Sequence, residues 1–168
     1  ELASVNMIIG ASFGGVPSLT ATAGPGLSLM AEGIGLAVAA EVPIVVVDVM
    51  RGGPSTGIPA KSEQSDLSFA VAGLHGDAPR LVLAPSSIAD CAATTQWAVE
   101  LAEALQAPAI VLSDQFMGQA RAAIERPADV AFIGARTTAA GISGAYKRYA
   151  VGPGGVSAMA LPGPPANR

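Results

Sequence analysis

The chain has 168 residues, 51% hydrophobic and 13% charged, with a net charge of −4 and a mean hydropathy of +0.49. That length supports one α/β domain, with room for the start of a second, and the mild acidity without a basic stripe argues against a nucleic-acid surface. The single cysteine, Cys91, excludes an internal disulfide and any zinc or iron–sulfur site ligated by this chain's cysteines alone.

The most apolar region, Ile34 to Val47, is interrupted by Glu41 and Pro43 and is too short to cross a bilayer. No secretory signal is present, so the expectation is a cytoplasmic protein without a membrane span. A surface this poor in charge fits a covering partner, a large Ala- and Gly-rich core, or both.

Glu1 to Ser12 reads as a helix, with Leu2, Val5, Ile8 and Ile9 at helical spacing. No cap or strand precedes it, so an N-terminally truncated domain is expected. Ser18 to Thr22 reads as a short strand, Ala23-Gly24-Pro25-Gly26 as a turn, and Leu27 to Ala40 as a helix. Ala31, Gly35 and Ala39, four apart, would let a neighbouring backbone approach closely. Ile44 to Val47 follows, a β-branched run without alternation, as in a parallel strand buried on both faces. Ser18 to Val47 therefore makes one βαβ unit. The run is expected to stop at Asp48 and Arg51 and open into the loop Gly52-Gly53-Pro54-Ser55-Thr56-Gly57.

Glu63 to Gly73 reads as a helix, with Leu67, Ala70 and Val71 on one side. Arg80 to Ala84 reads as a buried strand. Ser86-Ser87 caps a long helix to Leu105, whose apolar face is expected at Ala89, Ala93, Trp97, Leu101 and Leu105. Pro108 to Leu112 is a further strand, ended by Ser113-Asp114. This alternation predicts a doubly wound α/β domain: a mainly parallel sheet with helices on both faces. Regularity fades after Gln119. Ala131-Phe132-Ile133 is a possible short strand, and Gly152 to Gly155 and Pro162 to Pro165 have loop composition. The expected division is a domain over 1–126 and a tail or linker over 127–168.

Arg51 is delivered to the carboxyl end of a buried parallel strand, the edge where open α/β sheets bind ligands. An arginine fork takes a carboxylate or phosphate through paired hydrogen bonds, and Gly52 and Gly53 would admit a small anion to the backbone amides. The alternative is a surface arginine paired with Asp48 or Glu63. The Gly24-Pro25-Gly26 turn is either an anion cradle at a helix start or simply a tight turn. Glu1 is the only charge in an otherwise apolar helix. Its carboxyl is either raised in proton affinity by desolvation or solvated in a first turn. His75 beside Asp77 and the isolated Cys91 read as structural.

These stretches together resemble the α-subunit of 2-oxoacid:ferredoxin oxidoreductases, in the 2-oxoglutarate branch. The resemblance rests on ELASVNMIIGAS, TATAGPGLSLMAEGIGLA, EVPIVVVDVMRGGPSTGIPAKSEQSDL and GLHGD, and the tail YKRYAVGPGGVSAMALPG looks like the family's exit segment. It implies a pyrimidine-binding domain, with thiamine diphosphate shared between this subunit and a β-subunit. Glu1 matches the glutamate that hydrogen-bonds the aminopyrimidine nitrogen, and Arg51 the arginine near the substrate carboxylate. The implied site is Glu1, Thr22, Gly24, Pro25 and Gly26 for the cofactor, and Arg51, Gly52, Gly53, Ser55 and Thr56 for the substrate. No metal ligand is expected here. Magnesium and 4Fe–4S clusters would belong to the partner subunit. The implied reaction is oxidative decarboxylation of a 2-oxoacid to acyl-CoA and carbon dioxide with reduction of ferredoxin. The alternatives are another thiamine-diphosphate decarboxylase or carboligase, which would not usually carry the Arg51 loop, and a non-catalytic subunit. The family's Tyr-Pro-x-Thr-Pro segment does not occur in this sequence.

Overall fold

The computed structural model describes residues 1–128, 134–139, 145–152 and 154–163. The strand expected at Ala131-Phe132-Ile133 lies outside them. Four parallel strands form one sheet: β1 (Leu19–Thr22), β2 (Val45–Met50), β3 (Leu81–Leu83) and β4 (Ala109–Asp114), in the order β1-β2-β4-β3. Helices α1 (Leu2–Phe13), α2 (Pro25–Ala39) and α3 (Leu67–Ala72) contribute to a core on one face, with Val46, Met50, Ile110 and Leu112 from the sheet. Helix α4 (Ile88–Leu105) covers the other face against Val45, Ala109 and Val111. A short α5 (Gln115–Gln119) follows β4. This is the expected α/β architecture, a parallel sheet buried between helices.

The departures have local causes. β2 does not stop at Asp48: it continues to Met50 because β4 runs alongside as far as Asp114, pairing Asp48 with Leu112 and Met50 with Asp114. Ser113 and Asp114 accordingly belong to β4 rather than ending it. The Asp114 side chain then accepts from Met117 N at 2.9 Å, which starts α5. α3 is shorter than expected because two side chains of its presumed first turn are used elsewhere. Glu63 accepts from Gly53 N at 3.0 Å, and Gln64 donates to Asp114 at 3.2 Å. β3 is only half-buried, as suits an edge strand, and Arg80 leaves it to donate to the carbonyls of Ala70 and Ala78.

The face of α4 is displaced by one position from that expected. Trp97 is 59% exposed, and Ala89, Ala93 and Leu105 are exposed as well. Thr94, Ala98 and Ala102 point at the sheet, where small side chains let the helix approach closely. On α3, Ala70 is buried while Leu67 and Val71 are exposed. Close approach on α2 occurs at Gly33, where an added Cβ would lie 2.7 Å from Val5, whereas nothing lies near Gly35.

Beyond Arg126, the side chains of Arg136, Arg148 and Tyr149 tie the described residues back to α1, α2 and α4 and the ends of those helices. Met159 is fully buried in the α1–α2 core, and Gln106 donates to the carbonyls of Thr137 and Ser157.

Candidate functional site

β1 and β2 run in register, Thr22 beside Asp48, so their carboxyl ends open together. The chain leaves β1 into the Ala23–Gly26 turn, where Gly24 has φ +35° and caps α2, with Pro25 at the first helical position. Glycine is required twice. An L side chain is strained at the Gly24 φ. A Cβ on Gly26 would lie 1.9 Å from Thr22 Oγ1 and 2.8 Å from the Glu1 carboxylate oxygen Oε1. Glu1 therefore sits directly on one flank of this turn. Arg51 sits on the other: its Cγ lies 3.8 Å from where a Cβ of Gly24 would be. The turn thus brings the acid and the guanidinium to the same end of the sheet.

Glu1 is exposed, not surrounded by apolar groups as one expectation had it. Its backbone carbonyl is held by Val5 N and Ser4 Oγ, both at 3.0 Å, which fixes the start of α1. The Thr22 hydroxyl is buried with no hydrogen-bond partner. Gly26 N donates to Ala23 O and Leu27 N to Gly24 O, while Pro25 has no N–H. These amides are consumed within the turn and do not form an anion cradle.

The Arg51 loop is also self-bonded. Arg51 Nη1 donates to Thr56 O at 2.5 Å, Gly52 N to Lys61 O at 2.8 Å, and Gly53 N to Glu63 Oε2 at 3.0 Å. The Gly52 and Gly53 amides expected to meet a small anion are therefore already occupied. Gly52 and Gly53 shape the loop instead, and Gly57, with φ +48°, passes so close to Gly52 that a Cβ would lie 2.2 Å from its carbonyl oxygen. Ser55 holds φ +57°, a strained setting for a non-glycine residue, at the exposed tip beside Thr56. Arg51 pairs with a carbonyl of its own loop rather than with Asp48 or Glu63.

Asp48 went unrecognised as a site residue in the sequence. It is 0% exposed, on the same face of β2 as Val46 and Met50. Neither of its oxygens has a hydrogen-bond partner, nor does the buried Oδ2 of Asp66. Burial first, and the neighbouring Asp66 carboxyl second, push the Asp48 carboxyl up to about 8 from the ordinary 3.8. The Gly24 amide draws it partly back. A lone aspartate within IVVVDVM, in step with Val46 and Met50, was the signal available.

His75 and Asp77 are exposed in a bend, and Cys91 is a half-buried thiol on α4. Among the described residues no three His, Cys, Asp or Glu side chains form a metal-binding group, and no helix is long and apolar enough to cross a membrane.

Residues 1–153 match the family described as pyruvate flavodoxin/ferredoxin oxidoreductase, thiamine-diphosphate-binding. The 2-oxoglutarate synthase subunit KorA of Archaeoglobus fulgidus is 47% identical over 127 residues, covering 76% of this chain and 37% of that protein. The 2-oxoglutarate oxidoreductase subunit KorA of Mycobacterium tuberculosis is 48% identical over 114 residues, covering 68% of this chain and 18% of that protein. Among solved structures, a 2-oxoglutarate:ferredoxin oxidoreductase from Magnetococcus marinus, with 2-oxoglutarate, coenzyme A and succinyl-CoA bound, superposes with a TM-score of 0.87. It is 46% identical, and the match covers 99% of this chain and 29% of that one. The chain thus spans well under half the length of these relatives. By family match, identity and fold together, it belongs to the thiamine-diphosphate-binding pyruvate flavodoxin/ferredoxin oxidoreductase family.

Proposed function

We propose that this chain is the pyrimidine-binding part of the α-subunit of a 2-oxoacid:ferredoxin oxidoreductase, acting on 2-oxoglutarate. The observation that carries this reading is the flanking of one Gly-Pro-Gly turn by Glu1 and Arg51, within a fold that superposes on a 2-oxoglutarate:ferredoxin oxidoreductase. The complete enzyme would convert the 2-oxoacid and coenzyme A to acyl-CoA and carbon dioxide, passing two electrons singly to ferredoxin.

The residues fit an aminopyrimidine. An exposed carboxyl at Glu1, an unpartnered hydroxyl at Thr22 and the bare Cα of Gly26 meet at one point. Thiamine diphosphate, when bound, supplies the electron sink for loss of the substrate carboxylate. Glu1 holds a proton at the ring nitrogen. Thr22 and the Gly24-Pro25-Gly26 turn shape the wall against the ring. Arg51 turns from Thr56 O to the substrate carboxylate, with Ser55 and Thr56 closing the loop over it. This guanidinium already spends one donor on a backbone carbonyl, so a carboxylate competes for it on better, charge-assisted terms.

The diphosphate, its magnesium and the iron–sulfur clusters fall to a β-subunit. The turn amides are spent, and the chain's single cysteine cannot build a cluster. The setting is cytoplasmic, with ferredoxin as acceptor.

The complete α-subunit, assembled with its β-subunit, is expected to reduce methyl viologen with 2-oxoglutarate only when coenzyme A is present. Decarboxylation without coenzyme A-dependent reduction would place the protein among carboligases or decarboxylases and overturn the proposal.

A further inference from the structure

Fully buried Asp48 and half-buried Asp66, whose Oδ2 is buried, form an acid pair that the cofactor and substrate roles above leave unused. Asp48 lies in the middle of the sheet, flanked by Thr22 of β1 and Leu112 of β4. Asp66 stands at the N-cap position of α3, with no capping hydrogen bond from its side chain, at the end of the loop that starts with Arg51. Its Oδ2 lies 3.7 Å from the Cβ position of Gly24, and Arg51 Cγ lies 3.8 Å from the same point. The acid pair, the Arg51 stem and the cofactor-side turn therefore meet around one glycine.

Two ionised carboxylates cannot remain side by side without donors; one proton between them supplies both the missing donor and charge relief. The remaining ionisable groups at this end of the sheet are occupied or exposed. Glu63 is held by the Gly53 amide, and Asp114 by Gln64 and Met117. Arg51 donates to Thr56, while Lys61 and Glu1 are exposed. None of them supplies the donor that Asp48 lacks.

We propose that Asp48 and Asp66 share one proton, and that this carboxyl–carboxylate bridge is the strut seating the Arg51 loop against the Gly24–Gly26 turn. The two aspartates are then positioning residues for substrate-carboxylate binding. This rests on the reading of Arg51 given above. The raised proton affinity of Asp48 sets the sign: the bridge is intact at neutral pH and is lost as pH rises through about 8. Above that, two like charges press the loop away from the turn. The affinity for the 2-oxoacid falls while proton transfer at Glu1 is spared.

The test uses the complete α-subunit with its β-subunit, across a pH series. Asp48→Ala leaves Asp66 without its donor. KM for 2-oxoglutarate is expected to rise about tenfold or more at neutral pH, with kcat within about threefold. Asp48→Asn keeps a donor and the same net charge as the singly protonated pair. It should restore KM at neutral pH and abolish the alkaline rise that the natural sequence shows. The infrared difference spectrum between the natural protein and Asp48→Asn should contain the carbonyl stretch of a protonated carboxyl, lost at alkaline pH. An unchanged KM in Asp48→Ala, an alkaline rise persisting in Asp48→Asn, or no protonated-carboxyl band would each overturn the strut. If Asp48→Ala does not fold, the Asp48→Asn profile and the infrared band decide. If no 2-oxoacid is turned over, the activity reading fails by itself. The strut is then judged by the infrared band, and by whether proteolysis within residues 52–66 accelerates at alkaline pH in the natural protein but not in Asp48→Asn.

Discussion

Where the strands begin, Glu103 and Arg136 form an ion pair at 2.7 Å with side chains 5% and 6% exposed, and Arg136 also donates to the Ser12 carbonyl and hydroxyl. Arg148 bonds the carbonyls of Ala40 and Glu41, the Gln106 side chain and the Glu41 carboxylate. Where the strands end, Thr22, Asp48 and Asp66 each bury an oxygen with no partner. Both ends bury polar atoms. The Glu103–Arg136 and Arg148 clusters satisfy theirs with this chain's own groups, leaving Arg80 Nη2 at the start of β3 without a partner, whereas at the second end Asp48 has no partner for either carboxylate oxygen. Unsatisfied buried groups are costly. On the function proposed above, the contrast casts the first end as a clamp and the second as the ligand end.

Exchanging the kind of damage at the two ends tests the contrast. Glu1→Gln in the complete enzyme should lower kcat by about 100- to 10,000-fold, the usual weight of a positioned proton-transfer group. Glu1 is exposed, so its thermal unfolding should shift little. Unchanged turnover would remove Glu1 from the chemistry and favour a non-catalytic subunit. Arg136→Ala should do the reverse. It strands the Glu103 carboxylate in the interior, which costs about 3–5 kcal/mol. The expected reading is a large drop in denaturation midpoint, with kcat per folded molecule unchanged. A variant of native stability would show the clamp to be ornamental.

How much of this could be read in advance follows from the range of each interaction. The Ile44–Val47 run and the Ser18–Val47 βαβ unit depend on neighbours in sequence, and the parallel sheet appears as read. The phase of α4 differs because an Ala-rich helix carries two adjacent small-residue stripes; Trp97 gives weight to the wrong one, whereas the small side chains of Thr94, Ala98 and Ala102 fit close to the sheet. The Arg51 loop was located correctly, but its amides are spent on Lys61 and Glu63, contacts that a glycine count does not reveal. Asp48 reads as a strand stop until Asp66 is placed beside it. The Arg136–Ser12 bond joins residues separated by 124 positions, beyond any periodicity.

The smallest expected effect sharpens the comparison because it belongs to neither end's specialised chemistry. Ser87 caps α4 with extended backbone, and its hydroxyl accepts from Asp90 N at 3.2 Å. Asp90 in turn accepts from Ser86 N at 2.8 Å and from Ser86 Oγ at 3.0 Å, and those bonds hold its carboxyl below the ordinary carboxylate range. α4 covers the face of the sheet opposite α1 and α2, away from Glu1 and Asp48. Ser87→Ala removes one exposed cap and should cost about 1 kcal/mol by chemical denaturation. KM for 2-oxoglutarate and its pH profile should not move. A shift in that profile would mean that the α4 face is coupled to the Arg51 loop through β4, whose two ends could then no longer be treated as separate.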